Sequence, residues 1–280
     1  MNPRLQLAMA LVRQTGVEIR RAFEQRSHVV HKKSANDFAT ETDRKIEAQI
    51  AEAINAAFPG DVLLGEEGGE RVLGGAPPSD VRWIVDPLDG TYNFVHGFPY
   101  IATSIAIEAG GVVQCGVIGS PLTGEIFTAG RGLGAWRHPA NGAAPERLSV
   151  STCPSLNRAL VGTVLPSGTQ PSFGTVLPAW TAIAQASGSV RRTGAAALDL
   201  AHVAAGAMDG FFVMSLAAWD AAAGALLVRE AGGRVCDFDG GDDFLRTNQV
   251  IAGNAAVVSA MISLLQPHSK QENQIKPRTT

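Results

Sequence analysis

Two carboxylates three positions apart, Asp86 and Asp89, close the apolar run Trp83-Ile84-Val85 and lead straight into Gly90-Thr91. Acidic groups at a strand end can hold hard cations such as Mg2+ through oxygen. Backbone N–H groups where a helix starts, together with a threonine hydroxyl, can hold a phosphate against those cations. Metal-assisted hydrolysis of a phosphate ester needs both. Two further acids stand in comparable places. Glu66 closes Val62-Leu63-Leu64-Gly65, and Asp220 follows Trp219 and precedes the small-residue run Ala221-Ala222-Ala223-Gly224. Singly, each acid has a structural reading: Asp86 and Asp89 as a turn ahead of a helix, Asp220 as an acid that favours a helix N-terminus. Four acids at the ends of apolar segments are harder to explain that way. Buried carboxylates need partners, and no matching set of lysines lies beside them.

The elements that must position these acids can be read from periodicity. Residues 4–25 have the spacing of an amphipathic helix, and Ile46, Ile50 and Ile54 recur every four residues in a second helix that Thr42 could cap and that ends near Phe58. Residues 61–65 read as a short strand, and 68–79, rich in Gly and Pro, as a loop. Strands over 101–108 and 112–120 flank Gly110-Gly111, a hairpin signature, and 125–129 and 134–137 continue a meander. Near 141–146 the chain turns polar, and beyond it strands (159–165, 189–192, 211–214, 234–238, 250–253) alternate with helices (173–186, 195–205, 219–231, 255–265). Such alternation indicates a layered α/β half.

Composition narrows the function classes. The chain has 280 residues, 45% hydrophobic and 18% charged, and a net charge of −3, so it can bury a sizeable core and has no basic surplus for nucleic acid as its main ligand. Cys115, Cys153 and Cys236 are odd in number and far apart, which suits a reducing compartment. Charges at Arg13, Glu18, Arg20 and Arg21 interrupt any leader-like stretch, and no apolar run is long enough to span a bilayer, so a cytoplasmic protein without membrane contact is expected. The Gly-rich stretch 130–134 lacks dinucleotide spacing and reads as a turn. Neither an HExxH nor a GxSxG pattern occurs, and Cys153 has no evident base. His96 and Trp219 read as structural.

Five segments in order carry a resemblance: Thr40-Glu41-Thr42-Asp43, Gly65-Glu66-Glu67, Trp83-Ile84-Val85-Asp86-Pro87-Leu88-Asp89-Gly90-Thr91-Tyr92-Asn93-Phe94, Gly194-Ala195-Ala196-Ala197-Leu198-Asp199-Leu200, and Trp219-Asp220-Ala221-Ala222-Ala223-Gly224. From about residue 5 to 265 the chain resembles the inositol monophosphatase family of Mg2+-dependent, lithium-sensitive phosphatases. The resemblance implies an α/β (α+β) fold, a five-layer αβαβα sandwich of the kind shared with fructose-1,6-bisphosphatase. With the polar linker as boundary, the N-terminal half over 1–145 would carry the metal loop and the C-terminal half would cover 146–266, while the polar residues 267–280 read as a flexible tail. Glu66, Asp86 and the carbonyl of Leu88 would hold one Mg2+; Asp86, Asp89 and Asp220 a second; a third, weaker ion would sit near Glu66. Mn2+ would substitute.

The resemblance also implies a mechanism. A metal-bound water between Glu66 and Thr91 would attack phosphorus in line, with Asp43 as the base one step behind the Thr91 hydroxyl. Phosphate would lie on the amides of Gly90 and Thr91, and Asp89 and Asp220 would border it. Lys32 matches a family lysine near the metal loop. Gly194, Ala195 and Ala196 would line the alcohol pocket, with Arg191 or Arg192 reaching in. Inositol-specific members carry a glutamate after the aromatic pair, where this chain has Val213 after Phe211-Phe212. Valine accepts no hydrogen bond, so inositol recognition is weakened at that point. Tyr92 stands where many members have threonine, and Ala217 is small. Relatives of similar layout hydrolyse histidinol phosphate, fructose 1,6-bisphosphate or phosphoadenosine phosphate, and the resemblance leaves open a non-enzyme alternative, a catalytically retired relative that acts as a binding protein on RNA polymerase or RNA. A small-molecule phosphate ester as substrate and a homodimer complete the expectation.

Overall fold

The computed structural model describes residues 2–26, 30–34, 37–166 and 173–269, with only the backbone course over 30–39. Helix α1 (Pro3–Gln25) leads to a hairpin of β1 (Val30–Ser34) and β2 (Asp37–Thr40), then to α2 (Glu41–Ala57), β3 (Val62–Gly65), β4 (Gly69–Val72), β5 (Val81–Asp89) and the short α3 (Thr91–His96). A meander follows: β6 (Ala102–Ala109), β7 (Val112–Gly119), β8 (Ile126–Gly130), β9 (Gly134–His138) and β10 (Glu146–Arg147). Alternation then sets in: β11 (Leu160–Thr163), α4 (Phe173–Ala186), β12 (Ser189–Arg191), α5 (Ala196–Ala204), β13 (Gly210–Val213), α6 (Ala218–Glu230), β14 (Arg234–Cys236), α7 (Phe244–Thr247), β15 (Val250–Gly253) and α8 (Ala255–Leu265).

The eight-stranded sheet runs in the order β10-β9-β8-β7-β6-β5-β3-β4, the five-stranded one β12-β11-β13-β15-β14. Three apolar clusters define five layers. Helices α1 and α2 cover the outer face of the large sheet, burying Ile46, Ile50 and Ile54 against Trp83, Val85 and Leu88. Helices α5 and α6 fill the space between the sheets. Helices α4 and α8 cover the outer face of the small sheet around Phe212 and Phe238. This is the expected αβαβα sandwich. No described helix is long and apolar enough to cross a membrane.

The middle layer shows why the run before Gly224 is built of small residues. A Cβ on Gly224 would lie 2.5 Å from the Cβ of Leu200 on α5, and one on Gly116 of β7 would lie 2.9 Å from the carbonyl of Ala223. Both faces of α6 are thus packed to backbone distance. Gly224→Ala would gain helix propensity of up to about 1 kcal/mol. It forces a clash with an atom that cannot rotate away, so overpacking wins. A net loss on the order of 1–2 kcal/mol is expected, measurable by urea unfolding.

Two expectations are corrected. Thr40, not Thr42, caps α2: its backbone is extended (φ −101°, ψ 164°), and a capping box with Asp43 closes the first turn, leaving Thr42 inside the helix. The 68–79 stretch is not all loop, because β4 pairs antiparallel with β3 from Val72 back to Gly69. The short helix α7 and the β1–β2 hairpin are additional elements. Of the tail proposed from 267, residues 270–280 lie outside the described residues.

Candidate metal centre

Strand β5 carries the first two acids. It pairs parallel with β3 and antiparallel with β6, and the β6 register is irregular between Asp86 and Asp89, where Pro87 sits. Proline cannot donate to a ladder, so the strand bulges there. The irregular stretch is pinned by Thr103 Oγ1 donating to the Pro87 carbonyl at 3.0 Å and by the Leu88 amide donating to Asp86 Oδ1 at 2.9 Å. Asp220 comes from the first turn of α6. Its approach is fixed by Ser104 Oγ of β6, which donates to the Trp219 carbonyl at 3.0 Å.

These elements bring Asp86, Asp89 and Asp220 together, with one carboxylate oxygen of each within 4.8 Å of the others. All three are buried, Asp86 at 1% exposure. Burial pushes the Asp86 carboxyl well above the ordinary carboxylate range, and the charges of Glu66, Asp220 and Asp89 push it further, as does a hydrogen bond with Asp220. Burial likewise raises Asp89, with Asp220 adding to it, while the Ala197 amide at 2.7 Å opposes the rise. Like charges so confined, offering only oxygen, are the donor set of a hard divalent cation. The residues present fit such an ion. Glu66 stands outside the trio, at the β3–β4 turn, yet its charge acts on Asp86.

Beside the trio, Thr91 opens α3, and its hydroxyl lies 3.0 Å from Asp43 Oδ1 and 3.1 Å from the Leu88 carbonyl. The other oxygen of Asp43 is occupied by the capping box, accepting from the Thr40 amide at 2.9 Å and from the Thr40 hydroxyl. Asp43 is fully buried, and burial raises its carboxyl above the ordinary value despite these donors. Gly90, at φ +90°, brings the chain against the opposite segment: a Cβ there would lie 3.3 Å from both the Gly194 carbonyl and the Ala195 Cβ. Ala195 and Ala196 are buried beneath this contact. Arg191 is exposed on edge strand β12 and donates to Ser189 Oγ and the Val190 carbonyl; Arg192 donates to the Leu165 carbonyl. None of these contacts joins the acidic trio. Lys32 falls in β1, but its side chain lies outside the described residues. His96 stacks on Tyr92 at 4.3 Å, and Cys153 Sγ donates to the Ser155 carbonyl, in keeping with structural roles.

Sequence reasoning missed the supports. Glu47, 2% exposed, accepts from the Glu67 amide at 2.8 Å and from Arg71 at 3.1 Å, so it fixes the turn that carries Glu66. A Cβ on Gly65 would overlap its carboxylate at 2.4 Å, which is why the turn needs glycine there. Nothing local marks Glu47, since it sits next to the apolar stripe of α2. Asp199, Tyr100, Asn93 and the Ala197 amide were equally silent. The Thr40-x-x-Asp43 spacing, by contrast, is a capping signal that could have been read.

A model of the inositol monophosphatase family matches residues 1–271. The chain belongs to this family. Among its fellow members, Nus factor SuhB of Pseudomonas aeruginosa is 41% identical over 271 residues, covering 96% of this chain and 97% of its own. The structure of extragenic suppressor protein SuhB from Bartonella henselae has 38% identity and a TM-score of 0.85, covering 93% of this chain and 97% of its own. Thermotoga maritima IMPase has 31% identity and a TM-score of 0.81, covering 96% and 99%. The family's fold, inferred from five motifs, is thus the fold observed.

The raised carboxyls give a stability prediction with a definite sign. A carboxyl raised on folding binds more protons folded than unfolded, so it favours the folded state at low pH and costs stability as pH rises. His138 and His202, lowered chiefly by burial from 6.5, act in the opposite sense, but only below about that value. Burial lifts the Asp199 carboxyl to about 7, so part of this cost falls above pH 6.5, and chelated protein is expected to melt lower at about pH 8 than at about pH 6.5. Mg2+ at a hundredfold excess over Kd should restore about 2.7 kcal/mol, with the larger Tm gain at the higher pH. Thermal unfolding in EDTA and in Mg2+ at both values checks this.

Proposed function

We propose that this protein is a Mg2+-dependent phosphomonoesterase acting on a small phosphorylated alcohol. The observation that carries the reading is the buried trio Asp86, Asp89 and Asp220 with the Thr91–Asp43 hydrogen bond beside it. Asp86, Asp89 and Asp220, with Glu66 and the Leu88 carbonyl, would hold two to three Mg2+ ions, or Mn2+. Divalent ions held there supply an activated water and neutralise charge on the transferring phosphoryl group. The chain supplies the proton path. The Thr91 hydroxyl has one proton and two acceptors in reach, so it can take a proton from the attacking water while giving its own to Asp43. Asp43, raised by burial, is suited to receive it. Attack is direct and in line, with inversion at phosphorus. Lithium would inhibit by taking one of the ion positions.

The substrate remains the finer question within this reading. Gly194 and Ala195 lie opposite Gly90, and an alcohol extending past the phosphate would meet them together with Ala196, with Arg191 or Arg192 reaching in after leaving their present backbone and serine contacts. Val213, buried in β13, offers no acceptor. We read the preference for inositol 1-phosphate as weaker than in a member with glutamate there, with histidinol phosphate, fructose 1,6-bisphosphate and phosphoadenosine phosphate as rivals. Phosphate release from this panel and from glycerol 2-phosphate, compared by kcat/KM in Mg2+ and in EDTA, tests the reading. Turnover of at least one ester that EDTA abolishes is expected; no Mg2+-dependent release from any would sink it.

A second role is favoured by one observation: the 41% identical relative is named a Nus factor. We infer that the chain also binds RNA polymerase or RNA, with catalysis and binding residing in different surfaces. Copurification of RNA polymerase with an Asp220→Asn variant, inactive on esters, would separate the two. Loss of binding together with activity would argue for one shared site. A cytoplasmic homodimer belongs to the same reading.

A further inference from the structure

Helix α5 begins without a cap of its own: Ala195 stands at the N-cap and makes no side-chain hydrogen bond. The missing acceptor comes from β5. Asp89 Oδ2 accepts from the Ala197 amide at 2.7 Å, so a metal-ligand candidate is oriented by the start of a helix that lies 108 residues later. Wherever that helix start moves, the carboxylate must follow.

What holds the helix start is a buried clamp. Asp199, in the first turn of α5 and fully buried, accepts from the Tyr100 hydroxyl at 2.7 Å and from Thr193 Oγ1 at 2.7 and 2.8 Å. The Asn93 carboxamide donates to the backbone carbonyls of the same two residues, Tyr100 at 2.7 Å and Thr193 at 2.9 Å. The segment after β5 and the segment before α5 are therefore tied twice, once through side chains and once through backbone. The tie presses residues 194 and 195 onto Gly90, the residue that follows Asp89. The hydrogen bonds of Asp199 go to Tyr100 and Thr193 rather than to the trio, and although its charge also acts on Asp89, these bonds act through 193–197.

We propose that Asp199 is a positioning residue that sets divalent-ion affinity at Asp89 by fixing the start of α5. The inference rests on the metal-centre reading given above. Partners that orient ligating carboxylates are worth about ten- to a hundredfold in metal affinity. Mn2+ binding to the metal-free protein, followed by calorimetry, is the direct test. Asp199→Ala is expected to weaken Mn2+ about tenfold. It should also raise the Mg2+ concentration for half-maximal rate, with kcat at saturating Mg2+ changed less. Asp199→Asn, which keeps the shape and one accepting oxygen, should recover most of the affinity. Should Asp199→Ala fail to fold, Tyr100→Phe and Thr193→Val each remove one donor and should each weaken Mn2+ by a smaller factor.

Asp209→Ala is the control. Its carboxylate holds the Leu160 amide at 2.7 Å in the small sheet, so it should lower Tm and leave Mn2+ affinity alone. Affinities within twofold of wild type in the clamp variants would overturn the proposal. So would a loss as large in Asp209→Ala, or an Asp199→Asn variant no better than Asp199→Ala. Wild-type protein that binds no Mn2+ would overturn the metal-centre reading itself.

Discussion

Asp220→Asn is expected to abolish Mg2+-dependent phosphate release, by at least about a thousandfold, or about 4 kcal/mol of transition-state stabilisation. The amide keeps the shape of the side chain and offers one neutral oxygen where a charge faced the ion. The effect on the metal-free protein should have the opposite sign. Asp86 and Asp89 are each raised by burial and by Asp220. Removing one of three like charges within 4.8 Å relieves repulsion that only folding creates. The variant should therefore melt higher than wild type in EDTA, by on the order of 1 kcal/mol, and should lose most of its response to Mg2+. Calorimetric melting in EDTA and Mg2+, beside a phosphate-release assay, reads all three effects. A variant that turns over near the wild-type rate would refute the ligand assignment. One that is inactive and unfolded would refute the charge argument, and Asp89→Asn repeats the test with a different neighbour, the Ala197 amide.

Thr91→Val should lower kcat by about a hundred- to ten-thousandfold, the range for loss of positioned proton transfer. Valine keeps the branched shape and removes only the hydroxyl that lies 3.0 Å from Asp43 and 3.1 Å from the Leu88 carbonyl. Mn2+ affinity should change less than kcat, because the hydroxyl bonds no carboxylate of the trio and touches the proposed ligand set only at the Leu88 carbonyl. Thr91→Ser restores the hydroxyl and should regain most of the rate. Asp43→Asn should resemble Thr91→Val in kcat, while its capping-box contacts with Thr40 make it the less stable of the two. Steady-state kinetics with saturating Mg2+ distinguish a proton-transfer role from a structural one: a loss confined to KM would contradict the relay.

Much of this was legible from local pattern. Ile46, Ile50 and Ile54 announce the buried face of α2, and Gly110-Gly111, at φ +58° and +75°, announces the β6–β7 hairpin. Asp86 and Asp89 could be singled out because their signal, acids at the end of an apolar run, lies within a few residues. Long-range partnerships were not legible. Glu47 looks like any polar residue on α2 until the Glu66–Glu67 turn folds onto it. Asp199 looks like a helix acid until Tyr100 and Thr193 close over it, where burial lifts its carboxyl to about 7. The α2 boundary slipped although the spacing carried a signal: Thr40 has an acid three residues on, Asp43, whereas Thr42 has Lys45 there. Strand β4 was hidden because Gly and Pro flank it, and its partner β3 supplies the order its own residues lack.

The link between Asp89 and Ala197 spans 108 residues, and that between Ser104 and the Trp219 carbonyl spans 115. Synthesis proceeds from the N-terminus, and domains form as their residues emerge. The strands of the large sheet therefore emerge while the two β5 acids still lack their third companion and the inner face of the sheet still lacks α5 and α6. The acidic trio cannot close until α6 has cleared the exit tunnel. Nascent chains released before that point would expose that inner face and carry two of the three clustered acids, so the gain of divalent-ion affinity during translation would mark the docking of α6.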